Sequence, residues 1–321
     1  MVPDPEIHTS QVQIKNARDC YLKGIGLGRA GLHEEALVAF SEALTLDPRL
    51  ALAWVGKGFA LGKLGKYEEE IVSCDQAIEI DPKCIDAWNT KAFALGVLGR
   101  FKEKVKCCEQ ALRLDPENAV AWNNLGVALG KLGQFEEEIR CCDKALSIRK
   151  RYISALVNKG YALGRLKRYD EEIACYDRAL KIYPYYFSAH LQMGVALAKV
   201  RRHNKAIEMF DSALLIEPEH AKVLFHKGFS LSVLGRHKEA IACLEQSLAI
   251  DTSNAEAWVV LSNSCFMIGR LDESARAFDQ AYYIDVHEVR SGIVKGMKLL
   301  KSGKFNDAIR SFSEVLGIIL R

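Results

Sequence analysis

The chain has 321 residues, 49% of them hydrophobic, which is enough apolar material for a packed core and too much for a disordered chain. Its 44 basic and 41 acidic residues leave a net charge of +3, so composition gives no support for a protein of nucleic acids or membrane surfaces. No run of about 18 apolar residues is present to span a bilayer, and the opening MVPDPEIHTSQ lacks the basic start and apolar stretch of a signal peptide.

Residues 1–16 read as a partly helical lead-in. From Ala17 onward the chain repeats itself every 34 residues, without insertion or deletion, to Arg321. WVGKGFALGKLGKYEEEIVSCDQAI at 54–78 returns as WNNLGVALGKLGQFEEEIRCCDKAL at 122–146. Units begin at 17, 51, 85, 119, 153, 187, 221, 255 and 289, the last being two residues short. A period of this length marks stacked repeats, so one continuous array over 17–321 is expected instead of the two domains that length alone suggests.

Within each unit apolar residues recur at three- and four-residue steps in both halves, which is the helical period. Small residues hold two columns, Gly24, Gly58, Ala92, Gly126, Gly160, Gly194 and Gly228 in the first half and Ala43, Ala77, Ala111, Ala145, Ala179 and Ala213 in the second. A mid-unit glycine (Gly31, Gly65, Gly99, Gly133, Gly235, Gly269, Gly303) supplies the left-handed residue that ends the first helix. Pro48, Pro82, Pro116, Pro184 and Pro218 separate one unit from the next. Each unit is therefore a helix, a tight turn and a second, antiparallel helix.

Trp122, Leu125, Gly126, Gly133, Phe135, Ala145 and the proline column resemble the signature of the tetratricopeptide repeat. The resemblance covers nearly all of the chain. It implies an all-α, right-handed superhelical solenoid of antiparallel helix hairpins, whose first helices line a concave groove for a segment of a partner protein. Fold alone names no function.

Seven of the ten cysteines fall in two adjacent columns of the repeat: Cys74, Cys108 and Cys142 in one, Cys107, Cys141, Cys175 and Cys243 in the one before it. Placed so, they read as small apolar packing residues of a reducing, cytoplasmic compartment. No Cys-x-x-Cys pair, His-Glu-x-x-His motif, phosphate-cradling loop or nucleophile elbow is present. His203 and His237 occupy the column of Tyr67 and Phe101 and read as structural substitutes. No catalytic residue, metal site or cofactor is expected, and the chain reads as non-enzymatic.

Two departures from the repeat pattern stand out. Where the signature has alanine early in the second helix, this chain has Glu70, Lys104, Glu138 and Glu172, and in those units the first helix carries Gly62, Gly96, Gly130 and Gly164. Either the glycine clears space between the helices for a long charged side chain, or one unit was recently duplicated and the charge simply reaches solvent. At the unit boundaries, Arg149, Lys150, Arg151 and Tyr152, then Tyr185 and Tyr186, interleave basic and aromatic residues. Such a patch suits RNA or an acidic peptide, and it equally suits a solvated turn.

The groove-facing columns give the candidate binding residues. Asn89, Asn123, Asn124, Asn158, Gln192 and His226 form a row of uncharged hydrogen-bonding groups, suited to an extended peptide backbone. Beside them Phe59, Phe93, Tyr161, Phe225, Phe229, Val259, Phe266, Ile293 and Met297 place apolar side chains where solvent is expected. Unit nine closes on Val315-Leu316-Gly317-Ile318-Ile319-Leu320-Arg321, an apolar end without a polar cap. Another copy of the chain, a partner or a further domain is expected to cover it, with a homodimer first. The resulting reading is a scaffold or adaptor that holds a protein segment. A nucleic-acid-binding repeat protein and a regulatory arm of a separate enzyme are the alternatives.

Overall fold

The computed structural model describes residues 5–284, with side chains from Asn16 onward; Gly303, Ile293, Met297 and the whole of unit nine lie outside the described residues. Helices pair as hairpins in chain order: α1 (Pro5–Arg29) with α2 (His33–Leu46), α3 (Ala51–Lys63) with α4 (Tyr67–Ile80), α5 (Ile85–Val97) with α6 (Phe101–Leu114), α7 (Ala119–Lys131) with α8 (Phe135–Ile148). Then follow α9 (Ile153–Arg165) with α10 (Tyr169–Ile182), α11 (Phe187–Lys199) with α12 (His203–Ile216), α13 (Ala221–Val233) with α14 (His237–Ile250), and α15 (Ala255–Met267) with α16 (Leu271–Ile284). From α3 to α15 every first helix starts on the residue at which the sequence period opens a unit. The described residues are all-α and contain no strand. The described residues form two compact units that divide between Ala162 and Leu163. Within the first, each hairpin packs on the next and α1, α3, α5 and α7 lie side by side; within the second, α11, α13 and α15 do the same.

Local chemistry accounts for the turns. Gly133 sits at φ +84, and the amide of Gln134 reaches back to the carbonyl of Leu129 at 2.9 Å, closing the last turn of α7. Two hairpins lack the glycine, and there Lys167 and Arg201 are forced to φ 61 while keeping the same closing bond. Between units, the indole N–H of Trp54, Trp88 and Trp122 donates to the carbonyl of Pro48, Pro82 and Pro116 at 2.9–3.0 Å. Trp258 does so to Thr252, and His190, through Nε2, to Pro184. The tryptophan column is thus a clip on the inter-unit turn, which satisfies a carbonyl beyond the end of one helix while its ring covers the next.

Packing within the hairpins runs on pairs of one large and one absent side chain. The ring of Phe40 fills the space in front of Gly24 in its own hairpin and of Gly56 in the next, and Phe210 that in front of Gly194. Where the second helix carries cysteine the fit is looser but still close: a Cβ on Gly58 would stand 3.2 Å from the Cys74 sulfur. All ten cysteines are free thiols. Burial raises the thiol pKa of Cys107 and Cys141 to about 11, as expected of inert packing residues.

The charged side chains of the second helices do not reach solvent. Glu70 is 2% exposed, Lys104 5%, Glu138 3% and Glu172 7%. Each lies against the glycine of its own hairpin. A methyl group on Gly164 would come within 2.6 Å of the Glu172 carboxyl, one on Gly96 within 2.8 Å of the Lys104 ammonium, and one on Gly62 or Gly130 into the carboxyl of Glu70 or Glu138. The space-clearing reading stands, and the solvent-reaching alternative does not. Ion pairs then tie three of the second helices, α4, α8 and α12, to the first helix that follows: Lys91 to Asp75, and Lys159 to Asp143 and Lys227 to Asp211 at 2.6 Å.

Two outcomes follow. Gly130→Leu overpacks the hairpin and lowers stability by about 1–3 kcal/mol, and Glu138→Ala in the same chain relieves most of that loss. Urea unfolding of the four-member cycle measures this as a coupling of at least ~1 kcal/mol, and additive effects would contradict the arrangement. Lys167→Gly raises stability by about 1 kcal/mol by releasing the left-handed residue, read from the same urea midpoints.

Candidate functional site

The first unit presents its first helices as one face carrying two cavities. The larger, 470 Å³, is bounded by Tyr21, Ile25 and Arg29 of α1, His33 and Phe40 of α2, Leu52 and Phe59 of α3, and Asp86 and Thr90 of α5. The smaller, 300 Å³, is bounded by Phe59, Gly62 and Lys63 of α3, Glu70 of α4, Asn89, Thr90 and Phe93 of α5, and Val120 and Asn124 of α7. Phe59 and Thr90 belong to both, so the cavities form a continuous, mainly apolar surface with a few polar groups. Phe59 and Phe93 stand 49% and 53% exposed, which is large for apolar rings.

The sequence-derived amide row is only partly a surface feature. Asn123 is buried, and its Oδ1 accepts a hydrogen bond from Nδ2 of Asn158 at 2.9 Å. These two amides are brought together but satisfy each other. One repeat earlier the equivalent residues are Asn89 and Asn124, and here both line the smaller cavity while Oδ1 of Asn89 is buried without a partner. The same interaction is thus closed in one unit and open in its neighbour. Tyr161 is also exposed.

In the second unit the column containing Asn89 and Asn123 turns apolar, and it is buried. Phe225 and Val259 of that column, and Phe229 of the Phe59 column, are each under a tenth exposed, Phe225 and Phe229 within the core cluster that also holds Leu231 and Leu244. Expected from sequence to line a groove, these three residues instead form core, because the large side chains fill the gap between adjacent first helices. His226 stacks on Phe210 at 5.9 Å and packs against Phe225 at 5.1 Å. Burial, then the nearby Lys222 and Lys199, push its pKa down to about 4, so the ring is neutral. Gln192 and Phe266 are half-buried.

Of the basic and aromatic boundary residues, Arg149, Lys150 and Arg151 are exposed, and the Arg149 guanidinium covers the Tyr152 ring at 4.9 Å. Tyr185 is exposed, and it and Tyr186 set their edges against Tyr183 at 6.5 and 6.3 Å. Among the described residues no group of His, Cys, Asp and Glu could hold a metal ion, and no helix is long and apolar enough to cross a membrane. The apolar C-terminal end on which a dimer was expected lies outside the described residues.

Glu70 is the residue of this face that sequence reasoning left out of the site. Burial raises its pKa to about 7, with the field of Lys63 partly opposing, and its Oε2 has no partner. Glu138, with the field of Lys131 partly opposing, is raised to about 7 in the same way. The signal was present as the pairing of Gly62 with Glu70. What it lacked was any indication that the buried carboxyl opens into a cavity.

Such a stack of antiparallel helix hairpins defines a helical-repeat protein. Profiles described as tetratricopeptide repeat match residues 51–84, 85–118 and 153–186, residues 107–140, and residues 230–286. The chain belongs to the tetratricopeptide repeat family, whose arrays are protein-interaction scaffolds. No curated protein matches it in sequence. Among solved structures it is similar to PilF of Pseudomonas aeruginosa, with a TM-score of 0.59 and 21% identity over 64% of this chain and 94% of that one. It is also similar to a tetratricopeptide repeat protein of Parabacteroides merdae, with a TM-score of 0.58 and 14% identity over 78% and 99% of the two chains. A chain of the APC/C hetero-tetramer Cut9–Hcn1 aligns at a TM-score of 0.59 and 15% identity, over 89% of this chain and 55% of that one. At these identities the likeness is one of fold.

The buried carboxyls give stability a definite pH dependence. A carboxyl whose pKa rises from 4.5 in the unfolded chain to about 7 in the folded one keeps its proton longer when folded. Its contribution is unpenalised below about pH 4.5, falls as pH rises to about 7, and is level above that. Glu138→Gln removes this dependence, so between pH 5 and pH 8 the variant gains on the parent chain by up to about 3 kcal/mol. Urea midpoints of both chains at the two pH values measure it, and a constant difference would contradict it.

Proposed function

We propose that the chain is a non-enzymatic scaffold or adaptor that holds an extended segment of a partner protein along the first-helix face of its first unit. The observation that carries the reading is the continuous surface of two cavities, with Phe59 and Phe93 exposed beside Asn89, Thr90 and Asn124. Exposed aromatic rings supply area for apolar side chains of the segment, and uncharged amides donate to and accept from its backbone whatever its sequence. An amide row that runs unbroken through both units is not part of this reading, since Asn123 and Asn158 are already bonded to each other and the second unit seals its equivalent column.

The test selects extended peptides from a displayed library against the folded chain and measures their affinity for variants. Phe93→Ala and Asn124→Ala each weaken the selected peptides by about 1–3 kcal/mol, with far-ultraviolet circular dichroism and urea midpoints unchanged for Asn124→Ala. Asn158→Ala serves as a contrast: it strands the buried Asn123 carbonyl and acts on stability, by about 1–3 kcal/mol, more than on binding. Peptides indifferent to both face variants would overturn the reading.

A further inference from the structure

The smaller cavity contains two hydrogen-bond acceptors that the folded chain leaves without donors. One is Oε2 of Glu70, on a side chain 98% removed from solvent and still part of the cavity wall. The other is Oδ1 of Asn89, whose counterpart one repeat later is satisfied by an amide. A buried acceptor without a donor is costly, and two on one cavity define what would complete it: a group rich in N–H donors and carrying none of its own acceptors.

The remaining walls refine that choice. Phe59 and Phe93 present half-exposed rings, and Val120 adds aliphatic surface, so the ligand must bring an apolar stem as well as a polar head. Aromatic faces attract cations. The chain already demonstrates this preference, because the Lys63 ammonium stands over the Phe59 ring at 5.2 Å and its field acts on Glu70. Lys63 is itself exposed and so can swing away. A planar head with several N–H groups satisfies two separated acceptors and stacks on a ring at once, which a compact ammonium does less well.

We propose that this cavity is a side-chain pocket for the guanidinium of an arginine carried by the bound segment, with Glu70 and Asn89 accepting its N–H groups and Phe59 and Phe93 holding its stem. The pocket deepens the segment-binding reading above and rests on it for its biological setting, but it can be tested without any partner. Lys63 then acts as an internal competitor that occupies the mouth of the pocket until arginine arrives. Because burial keeps the Glu70 carboxyl protonated up to about pH 7, entry of a cation releases a proton from it.

The probe is N-acetyl-L-arginine methylamide, compared with the citrulline analogue, which has nearly the same shape without charge, and the norleucine analogue, which keeps only the stem. Carbon-13 NMR of glutamate carboxyls follows binding, with the Glu70 signal assigned by its loss in Glu70→Gln. The arginine probe should saturate, move the Glu70 signal and lower its titration midpoint. Citrulline and norleucine probes should bind about tenfold more weakly or worse, as should arginine to Glu70→Gln. Lys63→Met should tighten arginine binding, whereas an anion-binding pocket would be weakened by that change. Glu138→Gln, equally buried in the same column two repeats on, should leave arginine binding unaltered. Equal binding of arginine and citrulline, undiminished binding to Glu70→Gln, or no saturation at all would each overturn the pocket. Those failures are separable from failure of the segment-binding reading, which is decided by Asn124→Ala and Phe93→Ala on selected peptides.

Discussion

Everything in this protein depends on how closely the two helices of a hairpin approach, and that distance is set by side chains that are missing. Gly24 and Gly56 admit the ring of Phe40, Gly194 that of Phe210, and Gly228 the branched end of Leu244. What one helix gives up in volume, the other takes, so packing density is conserved while the residues vary. The cysteines belong to this scheme: at Cys74, Cys108 and Cys142 the second helix uses a small apolar group where other units use an aromatic ring.

The same trade admits charge into the interior. Glycine at 62, 96, 130 and 164 leaves room for a long chain to fold back between the helices, and Glu70, Lys104, Glu138 and Glu172 occupy that room. Burial then acts on the groups it admits, raising the carboxyls toward neutrality and lowering the ammonium of Lys104. An ordinary surface glutamate would be spent on solvent. Here one reaches a cavity wall with its bonding capacity unused, which makes a packing device a chemical feature of the first-helix face.

A second spacing, between successive first helices, decides where that face is open. In the second unit Leu191, Phe225 and Val259 fill the gap and seal it. In the first unit two members of that column, Asn89 and Asn123, are asparagines, and each needs a partner. Asn123 finds one in Asn158 and closes its gap, whereas Asn89 does not, and a cavity remains beside it. The open cavity therefore lies where the column is polar and unfilled, and does not run evenly along the repeats.

The architecture was legible residue by residue because it rests on local rules. Left-handed glycines such as Gly133, prolines such as Pro116 and the unbroken 34-residue period place helix ends without any knowledge of neighbours, and the observed first helices α3 to α15 begin on the units' own first residues. Period also exposed the pairing of Gly130 with Glu138, since two columns that change together in one chain point to contact. The candidate site was read less completely. Its columns were found, but Phe59 and Phe229 share one column and differ from 49% to 6% exposed, and nothing in the pattern separates them. Nor could the pattern show that the indole of Trp122 clips the turn at Pro116, that Asn158 is consumed by Asn123, or that Glu70 opens into a cavity. Sequence by itself determined the repeat, its helices and its turns, because those follow from backbone geometry within a few residues. Only the tertiary structure decided which side chains remain available to a partner, because that depends on the distance between helices a full repeat apart, which is set by the summed volumes of everything packed between them.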